Sequence, residues 1–262
     1  MARSALMTVM IQAAMKAGKS LTRDFGEVEN LQVSVKGPGD FVSQADKKAE
    51  KILHMELSRA RPGYSFLMEE EGEIVGDDPQ HRWIIDPLDG TTNFLHGIPM
   101  FAISIALERQ GQLVAGLVFN PVMDELFTAE RGNGAFMNDR RLRVAGRRDM
   151  YEAVIGTGVP HIGRGDHGKY LKQLARMMPE VAGIRRMGAA ALDLAYVAAG
   201  RMDGFWEEGL HPWDLAAGAI IIREAGGYIT NETGDHNVVD AKTIIAGNEY
   251  IHRQLQDVLK SV

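Results

Sequence analysis

Asp86 and Asp89 are the residues whose types and spacing most openly offer chemistry. They stand in the run Trp83-Ile84-Ile85-Asp86-Pro87-Leu88-Asp89-Gly90-Thr91-Thr92-Asn93. Carboxylates are hard oxygen ligands for Mg²⁺. Gly90 permits a close backbone approach, and Thr91, Thr92 and Asn93 are residue types that open helices. The free N–H groups at a helix start favour an anion such as phosphate. One loop could therefore hold a metal and the phosphate that the metal polarises. Asp-Pro and Asp-Gly also punctuate ordinary turns, so a strand-turn-helix carrying two solvated acids is the competing reading. The 262 residues include no cysteine, which excludes thiol nucleophiles, zinc-thiolate sites and disulfides. No serine nucleophile with a histidine base is apparent, so direct attack by water is the economical mechanism.

The surrounding elements must bring these acids together. Trp83 to Ile85 is a short apolar run that reads as a buried strand, and Pro87, which cannot donate to a ladder, should end it. The bend there would turn both carboxylates to one point. Upstream, Ser4 to Phe25 has helical apolar spacing, Leu31 to Val35 alternates like a strand, and Lys36 to Asp40 is a loop. Ser43 opens a helix reaching about Arg59, on which Asp46 and Glu50 sit one turn apart; a solvated helical face is the simplest reading of that pair. Tyr64 to Leu67 is a strand running into Glu69-Glu70-Glu71.

Downstream, Phe101–Glu108 and Gln112–Phe119 flank a hairpin turn, followed by short strands at Glu125–Thr128, Gly134–Met137 and Leu142–Val144. Near Arg147 the pattern changes to alternating strands and helices. The fold class is therefore α/β, one domain over 1–262 with subdomains of about 1–146 and 147–262 sharing a site. Asp214 would cap a helix apolar almost all round that carries the small residues Ala216, Ala217 and Gly218, and a plain N-cap is the simplest reading of it. Gly163-Arg164-Gly165-Asp166-His167-Gly168 matches a dinucleotide fingerprint but does not sit on a strand-to-helix turn, so it reads as a loop.

Apolar residues make up 45% of the chain and charged residues 24%, an ordinary globular balance. The net charge of −6 disfavours direct nucleic-acid or anionic-membrane binding. No apolar run reaches ~18 residues and no signal-peptide core opens the chain, which makes the cytoplasm the default compartment.

The run from Asp86 to Asn93 resembles the first signature of the inositol monophosphatase family of metal-dependent phosphatases. Trp213-Asp214-Leu215-Ala216-Ala217-Gly218 running to Glu224-Ala225-Gly226-Gly227 resembles the second. The likeness extends over nearly the whole chain. It implies layers of alternating helix and sheet, of the inositol monophosphatase and fructose-1,6-bisphosphatase type. It also implies two or three Mg²⁺ ions held by Glu69, Asp86, Asp89, Asp214 and the Leu88 carbonyl. Met68 stands where relatives carry glycine, which leaves Glu69 preferred over Glu70 only by register. Glu69 and Thr91 would orient the attacking water, and the Gly90 and Thr91 N–H groups would hold phosphate oxygens.

The family further implies supporting roles behind the metal site for Lys36 and Asp46. Glu207, with Glu208 as the alternative, would accept hydrogen bonds from a polyol, in a pocket that Gly188, Ala189 and Ala190 help to line. An exposed acidic pair at a strand end is the other reading of Glu207 and Glu208. The implied activity is hydrolysis of a phosphate monoester, inositol monophosphate first. A fructose-1,6-bisphosphatase or other sugar or nucleotide phosphatase is the alternative, with Arg185 and Arg186 keeping the nucleotide option open. The implied partners are a small phosphorylated polyol or sugar and a second copy in a homodimer. A protein that binds the transcription machinery is the non-enzymatic rival.

Overall fold

The structure, a computed structural model, describes residues 3–27, 33–37, 40–161 and 165–260. Helix α1 (Ala5–Phe25) starts where the Ser4 hydroxyl accepts the Met7 N–H at 2.9 Å. Strands β1 (Val33–Gly37) and β2 (Asp40–Ser43) form an antiparallel pair ahead of α2 (Gln44–Ala60). Leu31 and Gln32 of the expected first strand lie outside the described residues.

Next come β3 (Tyr64–Met68), β4 (Gly72–Ile74), β5 (Asp78–Asp89) and the one-turn helix α3 (Thr91–Leu95). Strands β6 (Ala102–Arg109), β7 (Gln112–Asn120), β8 (Glu125–Glu130), β9 (Gly134–Met137) and β10 (Arg140–Arg141) complete an eight-stranded sheet. Its order is β10-β9-β8-β7-β6-β5-β3-β4, and only the β3–β5 pair is parallel. The last strand falls at Arg140–Arg141 instead of the expected Leu142–Val144. Leu142 still donates to the Ala135 carbonyl, but the chain then turns toward Ala225.

The second half supplies β11 (Val154–Thr157), α4 (His167–Met177), β12 (Gly183–Arg185) and α5 (Ala190–Ala198). It continues through β13 (Gly204–Glu208), α6 (Pro212–Glu224), β14 (Tyr228–Asn231), β15 (Thr243–Gly247) and α7 (Glu249–Lys260). Its strands order β12-β11-β13-β15-β14, parallel around β11 and antiparallel around β15.

Strand alternation decides which layer each sheet face meets. In β5, Trp83 and Ile85 pack with α1 and α2, whereas Ile84 between them packs with α5 and α6. In the second sheet Phe205 and Ala246 face α5 and α6, while Trp206 and Ile245 face α4 and α7. The stack is therefore helices, sheet, helices, sheet, helices, the layered α/β arrangement that the family likeness implies.

The small residues of α6 serve this stacking, and the helix also packs on β5, the strand that carries the Asp86 loop. A Cβ on Gly218 would lie 2.5 Å from Leu194 Cδ1 on α5, and one on Gly116 of β7 would lie 2.8 Å from the Ala217 carbonyl oxygen. Gly116→Ala tests how tight that seat is. Overpacking costs about 1–3 kcal/mol, and removing a strand glycine returns roughly 0.5–1 kcal/mol. A net loss of about 1–2 kcal/mol in urea unfolding is expected, and an unchanged or higher midpoint would show that α6 has room to spare.

Candidate active site

The C-terminal end of β5, the β3–β4 turn, the start of α6 and the end of β13 converge on a cavity of about 300 Å³. Glu69, Asp86, Leu88, Asp89, Gly90, Thr91, Glu207 and Asp214 all line it. Strand β5 does not end at Pro87. Its pairing with β6 lapses after Asp86↔Ser104 and resumes at Asp89↔Ala102, so Pro87 and Leu88 form a bulge. Proline fits there because a bulged position has no ladder bond to make. The Leu88 N–H, freed from the ladder, donates to Asp86 Oδ1 at 2.8 Å. Gly90 follows with φ +89°, and a side chain there would meet the Met100 carbonyl oxygen at 2.9 Å and Ala189 Cβ at 3.1 Å.

Asp89 makes the contact least visible in the sequence. Its two oxygens accept the Ala190 and Ala191 N–H groups at 3.2 and 2.8 Å. Ala189, at the N-cap position of α5, has no side chain that can cap, so a carboxylate a hundred residues upstream satisfies the helix's first donors. Asp214 is the third residue of α6, not its cap: the helix starts at Pro212, and the Asp214 carboxylate reaches back to accept the His211 N–H at 2.8 Å. Oxygens of Asp86, Asp89 and Asp214 lie within 4.8 Å of one another.

Burial and mutual repulsion raise the pKa values of Asp86 and Asp89. Burial pushes Asp86 well up, and the charges of Glu69, Asp89 and Asp214 push it further, as does a hydrogen bond with the Glu69 side chain. Burial raises Asp89 to about 8, reinforced by the Asp214 charge and opposed by its backbone donors. Two buried carboxylates and one partly buried one, converging as hard, mutually repelling oxygens, fit a divalent cation of the Mg²⁺ kind.

Helix α2 stands behind the site. Asp46 is fully buried, which raises its pKa, and accepts the Ser43 N–H at 2.9 Å and the Ser43 hydroxyl. The Thr91 hydroxyl lies 3.1 Å from both Asp46 Oδ1 and the Leu88 carbonyl oxygen, and its single hydrogen serves one of them at a time. The solvated-face reading of Asp46 and Glu50 is therefore overturned. Glu50 is 2% exposed and accepts the Glu70 and Glu71 N–H groups, each at 2.9 Å. Burial raises its pKa to about 7. The Lys36 side chain lies outside the described residues.

On the outer rim, alternation along β13 separates the two glutamates. Glu207 lines the cavity, while Glu208 turns to α4, where Lys169 Nζ lies 2.6 Å away. Glu207 lies against the backbone of Gly158; a Cβ at Gly158 would collide with its carboxyl group. Gly188 and Ala190 line the cavity, whereas Ala189 is buried behind Gly90. Arg186, His161 and His211 also line it, and His211 stacks on Trp213 at 4.9 Å. Sequence reasoning missed the histidines, and the Arg185-Arg186 pair signalled a cation without telling which member faces inward. Asn93 does more than open α3: its Nδ2 donates to the Met100 and Met187 carbonyls at 2.7 and 2.8 Å, tying the loop to the second half.

Asp89 makes cation-free stability depend on pH. Its folded pKa of about 8 lies above the ordinary value of 3.8, so its protonated form favours the folded state and stability falls as pH rises from about 4 through 8. In chelator, the melting temperature of Asp89→Asn should decline less than wild type between pH 5 and 8. Parallel curves would refute the assignment.

The profile of the inositol monophosphatase family matches residues 2–261. An inositol-1-monophosphatase of Mesorhizobium japonicum is 68% identical over 260 residues, covering 99% of this chain and 98% of that one. The Nus factor SuhB of Escherichia coli is 41% identical over 263 residues, covering 97% and 98%. The crystal structure of the extragenic suppressor protein suhB from Bartonella henselae superposes with a TM-score of 0.96 at 64% identity, over 98% of this chain and 99% of that one. Matches of this length carry both signature loops together with the layers that hold them, and the chain belongs to the inositol monophosphatase family of phosphoric monoester hydrolases.

Proposed function

We propose that this enzyme hydrolyses inositol monophosphate to inositol and phosphate, using Mg²⁺. The supporting observation is the meeting of Asp86, Asp89 and Asp214 oxygens within 4.8 Å, lining one cavity with Glu69 and Leu88. Those four acids and the Leu88 carbonyl would hold two or three ions. When bound there, the ions supply a water of lowered pKa and charge stabilisation for the phosphoryl oxygens.

The chain's own residues do the rest. The Thr91 hydroxyl can donate to Asp46, which leaves its lone pairs to accept a hydrogen bond from the attacking water. Glu69, beside Asp86, would orient the same water from the other side. The Gly90 and Thr91 N–H groups would receive non-bridging oxygens. Glu207 would accept hydroxyls of the leaving alcohol, with Gly188 and Ala190 giving the ring room. A second reading, a substrate with another anionic group such as a sugar bisphosphate or a nucleotide, is favoured by Arg186 in the cavity wall.

Phosphate release from a panel of esters tests both. Chelator should abolish turnover and Mg²⁺ should restore it; full activity in excess chelator would sink the metal reading. Losing a hydrogen bond to a charged group costs about 1.5–3 kcal/mol, or roughly tenfold to a hundredfold. Glu207→Gln should therefore lower kcat/KM for inositol 1-phosphate by that factor and leave p-nitrophenyl phosphate nearly unchanged. Equal losses on both would move Glu207 into the metal site or the fold. A marked preference for fructose 1,6-bisphosphate or 2′-AMP over inositol 1-phosphate would favour the second reading.

A further inference from the structure

The β3–β4 connection is a three-residue turn, Glu69 to Glu71, closed by the Met68↔Gly72 pair. Gly72 there has φ +79°. On one side, the Glu69 N–H is tied to the Ile85 carbonyl at 3.2 Å, the residue before Asp86. On the other side, the Glu70 and Glu71 N–H groups point to α2, each taking a different oxygen of Glu50 at 2.9 Å. A surface turn ordinarily gives such N–H groups to water. Here they go to a carboxylate that is 2% exposed, and burying a carboxylate is unfavourable unless its oxygens are hydrogen-bonded. Both Glu50 oxygens have such partners.

Asp46, one turn earlier on the same helix, holds Thr91 by the same device. Helix α2 thus grips two walls of the cavity through two buried acids. Neither acid lines the cavity.

We infer that Glu50 is a positioning residue for the cation site: by clamping the Glu70 and Glu71 N–H groups it aims Glu69 at Asp86 before any cation arrives. This rests on the metal reading proposed above. A hydrogen-bonding partner behind a metal ligand typically changes metal affinity by about 10–100-fold. Glu50→Gln is nearly isosteric, but it offers one acceptor oxygen and sets an NH₂ against the second backbone donor, so one clamp bond is lost.

Calorimetric titration of chelator-stripped protein with Mg²⁺ should show wild-type uptake, and a dissociation constant about 10–100-fold weaker in Glu50→Gln. At saturating Mg²⁺ the variant's KM for inositol 1-phosphate should match wild type. A purely structural role predicts a lowered urea midpoint with wild-type Mg²⁺ affinity, and that result would overturn the inference. A wild type that takes up no Mg²⁺ would overturn the metal reading itself, and this inference with it. Hydrogen exchange on cation-free wild type keeps the test open if the variant fails to fold. The Glu70 and Glu71 amides should be protected, and exchange of both at unprotected rates would sink the clamp.

Discussion

The repulsion among Asp86, Asp89 and Asp214 is the constraint around which this molecule is built. At 4.8 Å or less, and an effective dielectric constant of about 20, each ionised pair repels by roughly 3–4 kcal/mol. One backbone donor to a charged acceptor returns about 1.5–3 kcal/mol. Each acid has such donors: Leu88 for Asp86, Ala190 and Ala191 for Asp89, His211 for Asp214. They offset part of the repulsion and fix the geometry, and the raised pKa values of Asp86 and Asp89 record burial first and then the repulsion that is left over. A divalent cation held there would remove the remainder. The backbone donors hold the three carboxylates in place ahead of any ligand, which is the kind of preorganisation that electrostatic catalysis uses.

The same donors explain why the fold needs both of its sheets. Asp86 and Asp89 belong to the first sheet, yet Asp89 is held by the first turn of α5, a helix packed between the sheets. Asn93 adds a second tie across the same seam through the Met187 carbonyl. Asp214 arrives on α6, whose seat is fixed by glycine-to-backbone contacts at Gly116 and by the Ser104 hydroxyl donating to the Trp213 carbonyl at 3.0 Å. Strand β5 delivers two of the acids and α6 the third, and α5, packed between the sheets, holds Asp89 in place.

What was legible in the sequence were features with a local cause. Asp86, Asp89, Gly90 and Thr91 lie in one short run whose residue types imply a tight turn carrying oxygen ligands. Helix periods and strand alternation placed most elements to within a few residues. The misreadings share a different origin. Pro87 signalled a strand end, but missing one N–H does not distinguish an end from a bulge. Glu50 has the spacing of a solvated helix face, and only the β3–β4 turn folding over α2 reveals its two donors. Glu207 and Glu208 are adjacent and alike in sequence; the register of β13 against β15 separates them.

Gly158 shows how far such effects reach. It shares no motif with Glu207 and lies forty-nine positions before it, yet any side chain there would occupy the space of that carboxylate. Strands β11 and β13 are parallel neighbours, with Thr157 opposite Trp206, so the residues that follow this pair, Gly158 and Glu207, meet at the cavity rim. On the function proposed above, the wall that would face the phosphate comes from the first sheet and its loops, and the wall that would face the alcohol from the ends of β11 and β13. On that reading the groups around Glu207 and Arg186 would choose which phosphate ester enters the site.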